Sequence, residues 1–176
     1  GMGVNKLADQ LGIEADEARD IIKQYHSRVP FVKGLMNGVM NRLNEKDSKG
    51  ELRSLLGRKC RFPLWEPDGF EMNKALPFED AVKTYGDTVR LKRAYTYKAL
   101  NRLIQASAAD MTKKAMVDLY NEGVVPHIQI HDELDISVES DDAAKKIIDI
   151  MENAVSLKVP NKVDYESGKT WGDIYG

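Results

Sequence analysis

The chain has 176 residues, 42% hydrophobic and 31% charged, with 26 Lys and Arg against 28 Asp and Glu for a formal net charge of −2. That composition supports a packed core, and its near-neutral charge leaves any nucleic-acid contact to local basic patches. Its single cysteine, Cys60, excludes a disulfide framework and a multi-cysteine metal centre, and no apolar run approaches the roughly 20 residues that span a bilayer. No signal peptide is visible, and Gly1 ahead of Met2 reads as a residue left by tag removal, with Met2 as the start.

Residues 14–28, "EADEARDIIKQYHSR", predict an amphipathic helix whose stripe is Ala18, Ile21, Ile22 and Tyr25, with an acidic first turn that suits the helix dipole. Pro30 fits the first turn of a second helix over 30–46, with a spine of Leu35, Val39 and Leu43. "ELRSLLGRKCRFP" reads as two short extended runs around Gly57, a hairpin or a sharp bend. Pro63, Pro67 and Pro77 then punctuate a loop over 64–80. From Asp87 to Asn121 the pattern is helical, one helix or two joined near Ala106, with Gly123 as its cap. Ser140 caps a further helix, with Asp141 and Asp142 in its first turn, and "VPNKVDYESGKTW" reads as a last strand and a tail. Helices around a few strands joined by short turns define an α+β fold.

"HIQIHDELDISV" carries apolar residues on alternate positions: Ile128, Ile130, Leu134, Ile136 and Val138, with Asp132 on the same parity. A single strand of that length is unusual, so 127–139 is expected to be a hairpin. A three-residue loop at 131–133 faces Ile130 with Leu134 and Ile128 with Ile136, and puts Asp132 at the apex. A two-residue loop at 131–132 would pair Ile130 with Glu133 and mix apolar with charged on one face. The turn lacks Gly, Asn and Pro, the usual turn residues. Two readings stand on these residues alone: a carboxylate on a rigid mount for a catalytic metal, or a solvated acidic turn. A zinc site from His127, His131 and Asp132 is disfavoured, because the four-residue His spacing suits a helix and a closed site wants four ligands.

"ALNRLIQASAADMTKKAMVDL" followed by "IQIHDELDISV", with "GMGVNKLA" at the start, "GRKCRFP" in the middle and "KVDYESGKTW" at the end, resembles the C-terminal half of a family A DNA polymerase, the DNA polymerase I type. The "YKALNRLIQ" run is similar to phage and prophage members, and residues 64–88 fit least, as an insertion-like loop. The resemblance implies a small antiparallel palm-type sheet with a catalytic-type hairpin at 127–139. It implies a helical part over 1–50 that follows the fingers helix, and a palm part over 51–176 in one compact unit without a linker. It implies that Asp132 is a metal-ligand carboxylate, that Glu133 supports it, and that His131 approaches the primer terminus. Asn101 and Gln105 would contact the minor groove of template–primer DNA. Their i, i+4 spacing puts both amides on one helix face, and amide donors read minor-groove acceptors without choosing a sequence. Arg58 and Arg61, in the family-like "GRKCRFP" turn, are the first candidates for phosphate contacts. They belong to basic clusters at Arg53, Arg58, Lys59 and Arg61, then Arg90, Lys92, Arg93, Lys98 and Arg102, with Lys113 and Lys114 following. Tyr97 departs from the pattern, since many relatives carry a basic residue one turn before the Asn.

Two-metal phosphoryl transfer needs carboxylates from separate elements. In the family the partner Asp, and the helix that holds the incoming dNTP, lie upstream of the residues that "GMGVNKLA" resembles. No local acid reads as a replacement: Asp16, Glu17 and Asp20 look like the wet face of a helix, and Asp135 and Glu139 share the hairpin with Asp132. The expectation is therefore half an active site that takes Mg²⁺ only with a carboxylate from outside. It would be one subunit of a split polymerase, completed by a separate N-terminal polypeptide in a bacterial cytoplasm. The alternative is an inactive prophage remnant that acts at most as a DNA-binding or interaction module. Leu7, Leu11 and Ile13 are expected on an exposed apolar surface that could pair two copies as a homodimer.

Overall fold

The computed structural model of the chain describes residues 2–45, 48–69 and 73–174. It is α+β, as expected, with six α-helices and three small antiparallel sheets among those residues. It divides into two compact units between Ala106 and Ser107. The boundary expected near residue 50 falls inside the first of them.

The first unit opens with three helices: α1 (Val4–Leu11), α2 (Ala15–Arg28) and α3 (Pro30–Asn44). Gly12 ends α1 in the left-handed region, with its N–H on the Ala8 carbonyl. α1 packs on α2, and the two bury alanines at Ala8 and Ala18. Pro30 starts α3, where a missing N–H costs nothing. Only the C-terminal end of the expected α3 spine is covered: Val39 and Leu43 are buried, whereas Leu35 is 49% exposed and Phe31 69%. Phe31, Gly34, Leu35, Gly38 and Val39, with Arg42 and Leu52, line an open apolar groove. The exposed apolar surface expected at Leu7, Leu11 and Ile13 is reduced to Leu11, since Leu7 and Ile13 are half-buried.

β1 (Glu51–Arg53) and β2 (Lys59–Arg61) form the expected hairpin, pairing Leu52 with Cys60. These two side chains point inward and join Val39, Leu43, Phe62 and Ala99 in the unit's core. Gly50, just before β1, has φ +68°, which favours glycine, and a Cβ there would have to displace the Arg93 guanidinium.

The loop expected over 64–80 is instead sheet and helix. β3 (Leu64–Pro67) lies between β4 (Leu76–Pro77) and β5 (Leu91–Arg93), and α4 (Phe78–Tyr85) follows β4 directly. The prolines are compatible with this ladder because Pro67 closes β3 and Pro77 sits on an edge strand. The helix expected from Asp87 is also corrected: β5 and a 3₁₀ turn at Thr96–Lys98 occupy its first part, and α5 runs from Ala99 to Asn121 without a joint. In so short a basic run as "RLKR", strand and helix periods cannot be told apart. Arg93 stacks on Trp65, 4.4 Å from the ring centroid, and donates to the Phe62 carbonyl at 3.1 Å. Burial holds its guanidinium below the ordinary arginine value.

In the second unit the remainder of α5 buries Asp110, Ala115 and Leu119. Gly123 caps the helix at φ +80°: its N–H meets the Tyr120 carbonyl at 3.0 Å, and Val124 reaches back to Leu119 at 2.9 Å. A hairpin, β6 (Ile128–Ile130) and β7 (Glu133–Asp135), leads to α6 (Asp141–Asn153). Ser140 caps α6 as expected, its side chain accepting the Ala143 N–H. The last expected strand does not form. The Glu152 carboxylate instead takes the Val163 N–H at 3.1 Å and the Lys162 ammonium at 3.1 Å, which straps residues 162–163 to α6. A capped 3₁₀ turn at Trp171–Asp173 follows.

Candidate catalytic hairpin and nucleic-acid face

The β6–β7 register is Ile128 with Asp135, Gln129 with Leu134 and Ile130 with Glu133. This is the two-residue loop, and it corrects the three-residue register expected from apolar pairing. Asp132 thus shares the turn with His131 rather than standing alone at an apex. Apolar pairing enforces register only over a buried face, and here Ile128 and Ile130 are 39% and 38% exposed. Turn geometry decides instead. His131 takes φ +52°, the positive value that two-residue hairpin turns of the primed types need at their first central residue. Histidine is among the non-glycine residues that tolerate it. Gln129 braces the turn by donating its amide to the His131 carbonyl.

Asp132 and Glu133 are therefore exposed carboxylates at the tip and the first position of β7. Asp135, two residues on, carries a buried Oδ2 with no hydrogen-bond partner. His127 extends the hairpin: its N–H meets the Asp135 carbonyl at 2.8 Å and its Nε2 lies 3.0 Å from the Ser137 hydroxyl. Among the described residues no three His, Cys, Asp or Glu side chains converge as a metal cage. The donors at the tip are hard carboxylate oxygens open to solvent. They suit Mg²⁺, which is commonly held by one or two carboxylates and keeps several waters.

In the first unit, Asn101 and Gln105 are both exposed on α5, while Leu100, Leu103 and Ala106 pack against the core. Ile104, 55% exposed, lies on the open side as well. Several of the basic residues are already engaged. Arg61 and Lys59 both hold Glu51, at 3.2 Å each. They keep its carboxyl below the usual range, Lys59 contributing most. Arg58 sits in the β1–β2 turn, its N–H on the Ser54 hydroxyl at 3.0 Å. Arg90 and Lys92 face Asp68 at 3.4 and 3.6 Å, and Lys114 pairs with Asp118 at 2.5 Å. Arg102 stacks on Phe62 and donates to the Arg61 carbonyl at 3.2 Å. The sequence reading missed a cluster just before α5: the rings of Tyr95 and Tyr97 lie 5.2 and 5.4 Å from the Lys98 ammonium. Its signal in the sequence is the aromatic alternation in "YTYK".

The sequence profile of DNA polymerase family A matches residues 1–173, and the chain belongs to that family. It is 32% identical over 160 residues to a DNA-directed DNA polymerase of Pseudomonas phage M6, a match covering 91% of this chain and 20% of the phage protein. It is 32% identical over 176 residues to DNA polymerase I of Bacillus caldotenax, covering 95% and 18% respectively. Among solved structures it is similar to the POL domain of Pol1 from M. smegmatis in complex with DNA primer-template and dNTP. That match has a TM-score of 0.73 and 26% identity, over 100% of this chain and 29% of that one. The chain spans about a fifth of the length of these curated relatives.

Proposed function

We propose that the chain supplies the C-terminal palm part of a DNA-directed DNA polymerase, with Asp132 as the metal-ligand carboxylate. The observation that carries this reading is the exposed Asp132 at the tip of a short two-stranded turn, within a chain whose family match is nearly complete. Asp132 would hold Mg²⁺ together with a carboxylate from outside this chain, and Glu133 would support it from the first position of β7. When bound, the ion supplies charge stabilisation to the reacting phosphate oxygens. His131, at the other turn position, would approach the primer terminus. Asn101 and Gln105 donate side-chain amides to minor-groove acceptors, which positions the duplex without reading its sequence. Arg58 and Arg61 would steady the backbone phosphates. The second carboxylate and the dNTP-binding helix would come from outside these 176 residues, in the cytoplasm of a bacterial host of a phage or prophage.

Primer extension on a simple template–primer with Mg²⁺ and the four dNTPs tests the reading. The expected result is no extension by residues 1–176 alone, extension when the regions that carry the second carboxylate and the dNTP-binding helix are present, and none with Asp132→Ala. Extension by residues 1–176 alone that Asp132→Ala abolishes would show a second acid within them and overturn the reading that the partner carboxylate lies outside.

A second reading has its own observation, the open groove around Phe31 and Leu35. On it this part of the protein is a DNA-binding or interaction module that pairs with another copy through the groove and catalyses nothing. A Mg²⁺-independent DNA affinity, a dimer in sedimentation, and no extension in any mixture would favour it.

A further inference from the structure

Tyr95 is a bulky residue at φ +62°, a conformation that its side chain disfavours and that persists only where the surroundings impose it. The surroundings here are specific. Ala94 and Ala99, on either side of the turn, are 1% and 0% exposed, so the backbone is pinned at both ends. The Ala94 N–H bonds the Leu64 carbonyl at 2.9 Å, and the Lys98 N–H bonds that of Tyr95 at 3.0 Å. Between these anchors the two rings are held outward, Tyr95 44% and Tyr97 57% exposed. Lys98 lies near both rings and, among the described residues, has no carboxylate partner. Tyr97 and Lys98 close the 3₁₀ turn that leads directly into α5, four and three residues ahead of Asn101.

Open aromatic faces and an unpaired ammonium are the chemistry that takes a nucleobase and its phosphate. A duplex hides its base faces by stacking, so amides suit its groove whereas rings suit a base that has left the stack. We propose that Tyr95, Tyr97 and Lys98 form a stacking site for an unpaired nucleotide of single-stranded DNA. The site adjoins the duplex-facing row of Asn101 and Gln105. It rests on the reading of α5 as a DNA-binding helix and adds a single-strand subsite to it. Tyr97 supplies the platform, Tyr95 a second ring, and Lys98 the phosphate contact.

The test uses the full chain and two probes, a short 5′-labelled oligothymidylate and a blunt duplex of the same length, followed by fluorescence anisotropy. Tyr97→Ala should weaken oligothymidylate binding about 5- to 150-fold, the usual range for losing one base–aromatic stack. Tyr97→Phe should bind like the parent. Tyr95→Gly, which suits the positive φ and removes only the ring, should weaken single-strand binding without loss of fold. Lys98→Gln should lower the salt slope by about 0.7, the value for one phosphate on a single strand. The duplex should be unaffected by the tyrosine changes, and a 5-iodouracil oligonucleotide should photo-crosslink at Tyr97. Single-strand binding unchanged in Tyr97→Ala, with duplex binding intact, overturns this subsite alone. A parent chain that binds neither probe overturns the subsite together with the DNA-binding reading beneath it.

Discussion

Glu152 has one of the most clearly explained carboxylates in the chain. The Val163 N–H contributes most to holding it below its ordinary value of 4.5, and Lys162 adds to this. A folded-state value below the unfolded one means stability that is present above about pH 4.5 and lost as pH falls through the lowered folded value. Glu51, held down first by Lys59 and then by Arg61, acts in the same direction. Glu152→Gln keeps an acceptor for Val163 but loses the ion pair, so its thermal midpoint should fall less steeply below pH 4.5 than that of the parent. Equal slopes in a pH series of melting curves would show that the strap contributes nothing. None of this could be read from "VPNKVDYESGKTW", because the pairing of Glu152 with a main-chain amide 11 residues on leaves no periodic trace. Asp132 was legible as an oddity, an acid on an apolar parity, but that oddity identified a turn and not its geometry.

At the level of elements, what the sequence disclosed follows from length and punctuation. α2, α3 and α6 carry several turns of periodic pattern and a start signal each, and their bounds lie within two residues of expectation. β3, β4 and β5 are two to four residues long and contain two prolines, too short to show alternation. The β6–β7 register was missed because pairing isoleucine with leucine is favoured only where a core waits beneath them. His131 at φ +52° settles the register at some cost in backbone energy, about 1 kcal/mol for a non-glycine residue in that region. His131→Gly should recover part of it and slow hydrogen exchange of the amides in Ile128–Asp135. If His131 also serves the primer terminus, the same variant should lower primer extension by the polymerase. Faster exchange in His131→Gly would mean that the imidazole, not the turn, holds the hairpin.

Over the whole molecule, a net charge of −2 leaves DNA affinity to whichever cations are not already neutralised. Lys59 and Arg61 share Glu51, and Arg90 and Lys92 share Asp68, so much of the apparent basic surface is internally balanced. Glu51→Gln should therefore tighten binding to a template–primer. It should also steepen the dependence of log K on log salt by about 1 to 2, close to 0.9 for each phosphate gained on duplex DNA. An unchanged slope would place Lys59 and Arg61 outside the DNA contact, and with them the proposed role of Arg61.

Arg93 has a consequence for how the first unit comes apart. A two-stranded ribbon is marginal on its own, and a sheet with strands of two to four residues is scarcely better. The guanidinium of β5 lies against Trp65 of β3, hydrogen-bonds the carbonyl of Phe62 just beyond β2, and fills the space that Gly50 leaves before β1. Each sheet thus holds in place the group that the other depends on. The two sheets are therefore expected to loosen together rather than one after the other, because a single guanidinium serves both and a side chain at Gly50 would have to displace it.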